Sequence, residues 1–545
     1  MDQTLLPKTS ATEEKRWVLT WDAFVEELRR VSCLAAPMMV VSVTLYLLQV
    51  VSVIMAGHLS ELSLSGVSMA TSFTNVTGFS LLVVDLTGWS HDQVHLVELD
   101  CCTLSVDFHL NHGLKAGIYW GFELESMGYK FSYLFIYLFI YLVLTGCAGF
   151  SGGLETLCGQ TYGAEQYKKF GSYAYCAIIS LIVISIPVSV MWTFMDRLLI
   201  AVGIDSEIST VACKYAICLV PALFAFAVLQ PLLRYFQTQS LIYPILVSTC
   251  AALFFHVPFC WVLVYKWELG NIGGALSIGV SYWLNVILLV LYMVFSSSCE
   301  KTRGLYWDDI FSSINKFFRF AFPSAVMICL EWWIYELVIL LSGLLPDPKL
   351  QTSVLSICLA TTTLHYYVQY GIGAAGSTRI SNELGAGNPQ AAQVVVQVVL
   401  IMSLVEVVTV SLILFSCRDI FGYAFSSEKR VVDYVAELAP LMCLSIIMEG
   451  LQAVLSGIAR GCGWQHIGAY VNLGAYYLVA TPLAVVLCFV LHLGSKGLWM
   501  GLVIGKIVQA SCFASITALT NWQKQATEAK ERILGGSLLA DNGLA

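Results

Sequence analysis

The chain is 545 residues long, 58% apolar and only 12% charged, with a formal net charge of −8. A soluble chain of this length divides into several domains with about 25% charged residues, so the composition excludes an ordinary globular protein and describes an integral membrane protein. A net charge this small for the size gives no electrostatic reason to bind nucleic acid.

Taken in chain order, residues 1–33 are polar and charged, and read as a cytoplasmic N-terminal segment without the apolar centre of a cleaved signal peptide. Apolar runs then predict spans near 34–56, 66–83 (continuing at 148–160), 173–194, 208–229, 241–264 and 272–295. A second set follows near 318–342, 352–380, 392–416, 433–456, 468–491 and 497–520. Runs of about 20 residues cross a ~30 Å hydrocarbon core as helices, and are about twice as long as barrel strands. The predicted fold is therefore all-α, an integral membrane protein of about twelve transmembrane helices. Lys and Arg, including Lys15, Arg16, Arg29, Arg30, Lys168, Lys169, Lys301 and Arg303, concentrate on the side that carries the N-terminus, which marks it as cytoplasmic. Most of the eighteen cysteines sit singly inside spans, as Cys176, Cys250 and Cys358 do, and read as small packing residues.

The chain repeats itself. Gly163-Ala164 returns as Gly385-Ala386, Gln230 as Gln452, and Leu269-Gly270 as Leu493-Gly494, 222 to 224 positions on. Nearer the N-terminus, Pro37 matches Pro323 and Gly57 matches Gly343, but 286 positions on. In a chain of apolar segments, such a duplication points to a transporter of two six-helix lobes with a cavity between them. Each copy holds an even number of spans, so the copies are parallel and the pseudo-two-fold axis runs along the membrane normal. The reading divides the chain into segment 1–33, a first lobe 34–295, a polar cytoplasmic connector 296–317, a second lobe 318–520 and a cytoplasmic tail 521–545.

The drop in offset from 286 to 222 places about 64 extra residues in the first copy, at 84–147. That stretch is polar around Trp89–His95, then low in complexity around Phe131–Leu142, and it interrupts the second helix of the first lobe. Polar backbone within lipid costs several kcal/mol, so the stretch reads as foreign to the fold, or else as a luminal or extracellular excursion. Its His91, His95, Cys101, Cys102, His109 and His112 lack the tight pairings of a zinc site, so no metal is expected. Gly371–Gly376 matches GxGxxG, but within an apolar span the glycines serve helix packing and not a dinucleotide. Neither a nucleotide nor any other cofactor is expected.

Ionisable groups inside spans are costly and are functional candidates by default. Glu331 and Glu336 fall in the seventh span, Glu406 in the ninth and Glu449 in the tenth. The bland alternative for each is a helix-end carboxylate reaching interfacial water, and Glu406 fits it best. Lys506 and Lys214 read as snorkelling or locally paired. Trp332, Trp333, Tyr335, Tyr366 and Tyr367 would suit flat organic cations through stacking and cation–π contact, or simply pack.

Several motifs carry a resemblance. Leu154–Ala164, its echo Ser377–Gly387, Gln49–His58 with Pro37, Cys329–Trp333 and Gly461–Gln465 occur in order, and together resemble the plant multidrug and toxic compound extrusion (MATE) transporters over 30–83 and 148–520. The resemblance implies a secondary antiporter that exports organic, often cationic, compounds and draws its energy from a proton gradient. It implies proton-coupling roles for Glu331, Glu336 and Glu449, with Gln49, Trp332, Tyr335 and Tyr366 as cavity candidates. The partners implied are small organic substrates, protons and the lipid bilayer, in a monomer that is not an enzyme. Many bacterial members carry an aspartate where this chain has Ser52, so proton coupling should rest on the second lobe. Gln49 either lines the cavity or joins two helices by a hydrogen bond. Leu5-Leu6-Pro7 resembles plant members of the plasma or vacuolar membrane. The alternatives are a lipid or lipid-linked flippase, which calls for a cationic cavity where only Arg379 and Lys506 offer charge; a membrane enzyme, for which His256, His365 and His466 are too scattered; and a chain inactivated by its broken second helix.

Overall fold

The computed structural model describes residues 21–57, 147–201, 206–342, 345–346, 348–425 and 428–541. The predicted span 66–83 and the extra stretch, with its histidines and cysteines, lie outside the described residues except for Cys147. Among the described residues the structure is helical, without strands. The main helices are α1 (Trp21–Gly57), α2 (Cys147–Gly163), α3 (Tyr167–Trp192), α4 (Ser206–Thr238), α5 (Ile242–Trp261) and α6 (Gly270–Phe295). There follow α7 (Trp307–Ser342), α8 (Pro348–Gly385), α9 (Pro389–Ser416), α10 (Lys429–Cys462), α11 (Gln465–Val490, its middle and end in wide π turns), α12 (Gly494–Ala518) and α13 (Trp522–Asp541). Ten of them are long and apolar enough to cross a bilayer.

Several helices run beyond the predicted spans, and three do so through segments read as polar. α1 starts at Trp21, inside the segment read as cytoplasmic, and its polar first turns are stitched by the Arg30–Glu26 pair at 2.6 Å. α7 starts at Trp307, inside the connector, with Asp308 and Asp309 at its positive N-terminal end. The tail contains α13, which buries Ala526, Ala529 and Ile533 on one face. Hydropathy detects only the stretch of helix in lipid; amphipathic turns in water are held by packing on one side and ion pairs on the other.

The duplication is visible in the backbone. Among the described residues, left-handed φ values occur at Glu165, Ser240, Glu268 and Gly270, and again at Gly387, Gly463, His492 and Gly494, each 222 to 224 positions on. These residues lie at helix boundaries: Gln166 N–H donates to Thr161 O at 2.8 Å, and Asn388 N–H to Glu383 O at 2.8 Å. The π turn Val262–Lys266 that ends α5 recurs as Val486–Val490 at the end of α11. In both places a glycine lies against the wide turn. A Cβ on Gly273 would come 2.8 Å from the Leu263 carbonyl carbon, and one on Gly497 2.7 Å from that of Leu487.

The repeat also governs how the copies meet. α2 crosses α7, where a Cβ on Gly149 would lie 3.0 Å from the Cβ of Ala325. α8 crosses α1 in the same manner, where a Cβ on Gly371 would lie 2.7 Å from the Cα of Met39. Gly149 and Gly371 are 222 apart, Met39 and Ala325 286 apart, so the two crossings are related by the duplication. Small residues permit this approach, and van der Waals contact then holds helices that lipid alone would not drive together. The second helix of each copy thus packs on the first helix of the other, which places α1, α2, α7 and α8 along the junction. One apolar core gathers α2 to α6 with parts of α1 and α7, a second gathers α7, α8, α10, α11 and α12, and a third joins the start of α1 to α8, α9, α10 and α13.

Candidate functional site

In the second half, α7, α10 and α12 bring four polar groups together within an apolar surround. The ammonium of Lys506, fully buried on α12, lies 2.9 Å from the Glu449 carboxylate on α10 and 2.8 Å from Ser445 Oγ. The Tyr335 hydroxyl on α7 donates to the other Glu449 oxygen at 2.7 Å, and its ring lies 5.2 Å from the ammonium. One turn earlier on α7, Glu331 is buried beside the Gln452 amide and within Coulombic reach of Glu449, Lys506 and Arg460. Glu331 has no ion-pair partner among the described residues. A relay behind the cluster runs from the Tyr476 hydroxyl to Gln509 (2.6 Å), and from Gln509 to Asn472 (2.7 Å).

Glu331, Glu449 and Tyr335 are therefore assembled, and Lys506 joins them as a partner. The backbone of Glu336 lies one residue beyond Tyr335 on α7, but its side chain is outside the described residues. Glu406 stands apart, a quarter exposed, with His365 Nε2 at 3.0 Å and the Gln369 amide also on its carboxylate. This pairing replaces the bland reading of a carboxylate reaching interfacial water alone.

An aromatic wall adjoins the cluster at the junction. The Trp332 ring stands edge-on to Tyr366 at 5.3 Å, and Tyr367 stacks on Tyr46 of α1 at 4.9 Å. Gln49 donates to the Tyr282 hydroxyl on α6 at 3.2 Å, so it does bridge two helices, while remaining half-buried. By the repeat offsets Gln49 corresponds to Tyr335, Tyr282 to Lys506, Leu45 to Glu331 and Ala227 to Glu449. The first half thus holds a neutral hydrogen bond where the second holds charges. Ser52 is buried there against His256 Nε2 at 3.2 Å, and the opposite ring nitrogen lies 2.9 Å from Ser281.

Toward the end marked as cytoplasmic, the halves close on each other. Gly163 of α2 packs on Asn382 of α8, and Gly385 of α8 on Gln160 of α2; the would-be Cβ atoms lie 2.7 and 2.8 Å from the facing carbonyl carbons. Both pairs are 222 apart. Just inward, Glu155 of α2 is fully buried between Arg234 of α4 at 3.1 Å and Arg460 of α10 at 3.0 Å. Arg234 also donates to Gln237 at 2.6 Å and to the Tyr370 hydroxyl of α8. The Arg234–Glu155 approach is an ion pair by distance only, because no N–H is aimed at that oxygen. At the rim, Arg379 of α8 holds Glu27 of α1 with two bonds, 2.8 and 3.1 Å, and Glu383 at 2.8 Å. Arg379 is thus part of the closure and not a free cation of a cavity.

Sequence reasoning missed Arg234, Arg460 and the charge of Glu155. Each lies within two or three turns of a helix end, where a charge reads by default as snorkelling. Only their convergence from three helices shows them to be buried together.

The comparisons with known proteins agree with this architecture. The MatE family model matches residues 132–262 and 323–486; the first segment begins inside the stretch set apart as 84–147. Protein DETOXIFICATION 6 of Arabidopsis thaliana is 47% identical over 527 residues, covering 96% of both chains. Protein DETOXIFICATION 1 of the same plant is 47% identical over 518 residues, covering 95% of both. The crystal structure of the eukaryotic MATE transporter AtDTX14 matches with a TM-score of 0.79 at 44% identity, over 94% of this chain and all of that one. An outward-facing multidrug resistance MATE transporter, 13% identical, shares the fold at a TM-score of 0.69. Ten helices able to span a membrane among the described residues, a repeated backbone and a near-complete alignment with these relatives make this chain a member of the MATE family of multi-pass membrane transporters.

Proposed function

We propose that this chain is a secondary antiporter that exports organic, often cationic, compounds in exchange for protons. The observation that carries the reading is the unlike partnering of two buried carboxylates. Glu449 faces an ammonium at 2.9 Å, while Glu331 has an amide for company and no ion pair among the described residues. Of two buried carboxylates, the one without a direct ion pair is the candidate to take up the proton of the gradient. Glu331 then carries the proton, and Lys506–Glu449–Tyr335 forms the fixed frame that senses its charge. Glu336 is assigned to the same proton path from its place on α7. The substrate stacks on Trp332, Tyr366 and Tyr367, which offer π faces to a flat cation.

In this cycle the closure at Gly163, Gly385 and Glu155–Arg460 opens when the site turns to the cytoplasm. Arg460 then parts from Glu155, which keeps Arg234 beside it. The lobes 34–295 and 318–520 are the moving bodies, and the protein works as a monomer in the plasma or vacuolar membrane, without a cofactor. The test is pH-driven efflux of a fluorescent organic cation from vesicles. Glu331→Gln and Glu336→Gln should each abolish it while leaving protein yield unchanged. Undiminished efflux in Glu331→Gln would sink the proton-site assignment.

A further inference from the structure

A cavity of about 460 Å³ lies apart from the Glu449–Lys506 cluster, where α2, the first turns of α7, the α10–α11 turn and α13 meet. Lys316, Arg319, Phe320 and Pro323 line it from one face of α7, at the i, i+3, i+4, i+7 spacing of a helical stripe. From α13 comes Arg532, anchored by donating to Gln160 Oε1 at 3.0 Å and Cys462 O at 3.2 Å. Against these three cations the lining holds one carboxylate, Glu528, 3.6 Å from Arg532 and shared with Lys524 at 3.9 Å. Lys316 and Arg319 have no ion-pair partner among the described residues. Burial pushes the Arg532 guanidinium below its ordinary value, Glu528 draws it back, and the like charge of Arg319 adds repulsion. Lys169, which donates to Ile533 O at 2.9 Å, stands within Coulombic reach of Lys316.

Two further features belong to this cavity. The first turn of α11 opens onto it through Gln465 and His466, and no side chain caps its N–H groups, which suits an anion. Gln465, 1% exposed, also presents its Oε1 without a hydrogen-bond partner. That oxygen accepts only, so it calls for a ligand that donates a proton as well as bearing negative charge. A phosphate monoester does both in its singly protonated form, through its anionic oxygens and its remaining P–OH; a sulfate has no such donor. The positive-inside rule accounts for the exposed Arg319, but not for the half-buried Lys316 and Arg532 that wall a cavity beside Phe320 and Trp464.

We propose that this cavity binds a phosphate-monoester anion, held by Lys316, Arg319, Arg532 and the first turn of α11, with Gln465 accepting from its P–OH. The ligand would join α2 of the first half to α7, α11 and α13, and so favour the state with the cytoplasmic end closed. The shared chemistry could come from a soluble phosphate compound or from a phosphomonoester headgroup of the inner leaflet.

The test needs no transport measurement. The full-length protein in neutral detergent is titrated with inorganic phosphate, and separately with phosphatidic acid in mixed micelles, and its melting temperature is followed at matched ionic strength. A saturable rise is expected with at least one of them. Phosphate alone identifies a soluble ligand, and phosphatidic acid, with or without phosphate, admits the lipid. In the double variant Lys316→Gln/Arg319→Gln the half-saturating concentration should increase at least about tenfold, as expected for two lost charge-assisted bonds. Lys530→Gln, on α13 outside the lining, should leave it unchanged. No saturable rise with either ligand, an unaltered response in the double variant, or equal saturation by sulfate would overturn the assignment.

Discussion

A buried ammonium and a buried carboxylate 2.9 Å apart are worth more as a constraint than as a source of stability. Desolvating both offsets most of their attraction, yet removing one leaves the other uncompensated. Glu449→Gln should therefore lower stability by about 3–5 kcal/mol, read as a fall in melting temperature in detergent. Glu449→Gln/Lys506→Met should recover much of that loss, since no lone charge remains. A single variant as stable as the parent would show that the pair is not dry. Glu331→Gln should differ in kind: an amide fits beside Gln452, so stability holds while pH-driven efflux is lost. Both acids were legible in the sequence as charges within apolar runs. Lys506 was legible too, but not as the partner of Glu449, because 57 residues and the whole of α11 separate them.

At the scale of helices, glycine decides how closely the two halves approach. Gly163 and Gly385 meet the carbonyls of Asn382 and Gln160 with no room for a methyl group. Gly163→Ala and Gly385→Ala should each cost about 1–3 kcal/mol through overpacking. The repeat relates the two contacts, so the two losses should be similar in thermal unfolding; a loss at only one would mean that the crossing is not symmetric. Glu155→Gln acts on the same closure by another route. It releases Arg460 from the other half and leaves Arg234 and Arg460 as neighbouring buried cations, so the closed cytoplasmic end should be destabilised. A higher cytoplasmic-side reactivity of a cysteine placed at Asn382 would report this, and unchanged reactivity would remove Glu155 from the closure. Helix limits were only partly readable. The starts of α1 and α7 and the whole of α13 lie where hydropathy falls, and they are helical because one face packs against protein.

For the whole molecule, the duplication makes two similar scaffolds and the side chains make them unequal. The first half has Gln49–Tyr282, the second Tyr335 with Lys506 and Glu449. With proton coupling in the second lobe, as proposed, the first is free to shape the substrate site, so substitutions at Gln49 should alter substrate selectivity with the pH dependence of transport preserved. Residues 84–147, read as foreign to the second helix, yield a separate expectation. Deleting them should restore or raise transport, and a collapse of expression or activity would show that the stretch belongs to the fold.

Composition and repetition alone determined the class of the protein, its helix order and its two-lobed plan, because lipid requires long apolar helices and a duplicated chain folds twice. The same sequence displayed Glu331, Glu449 and the aromatic residues, since charge and ring character are local properties. Only the tertiary structure decided which charges meet. Glu155 joins Arg460 across 305 positions, and Lys316, Arg319 and Arg532 face one cavity from two distant helices. Electrostatics acts through distance in space, and within a bundle that distance is set by helix crossings that no local pattern in the chain records.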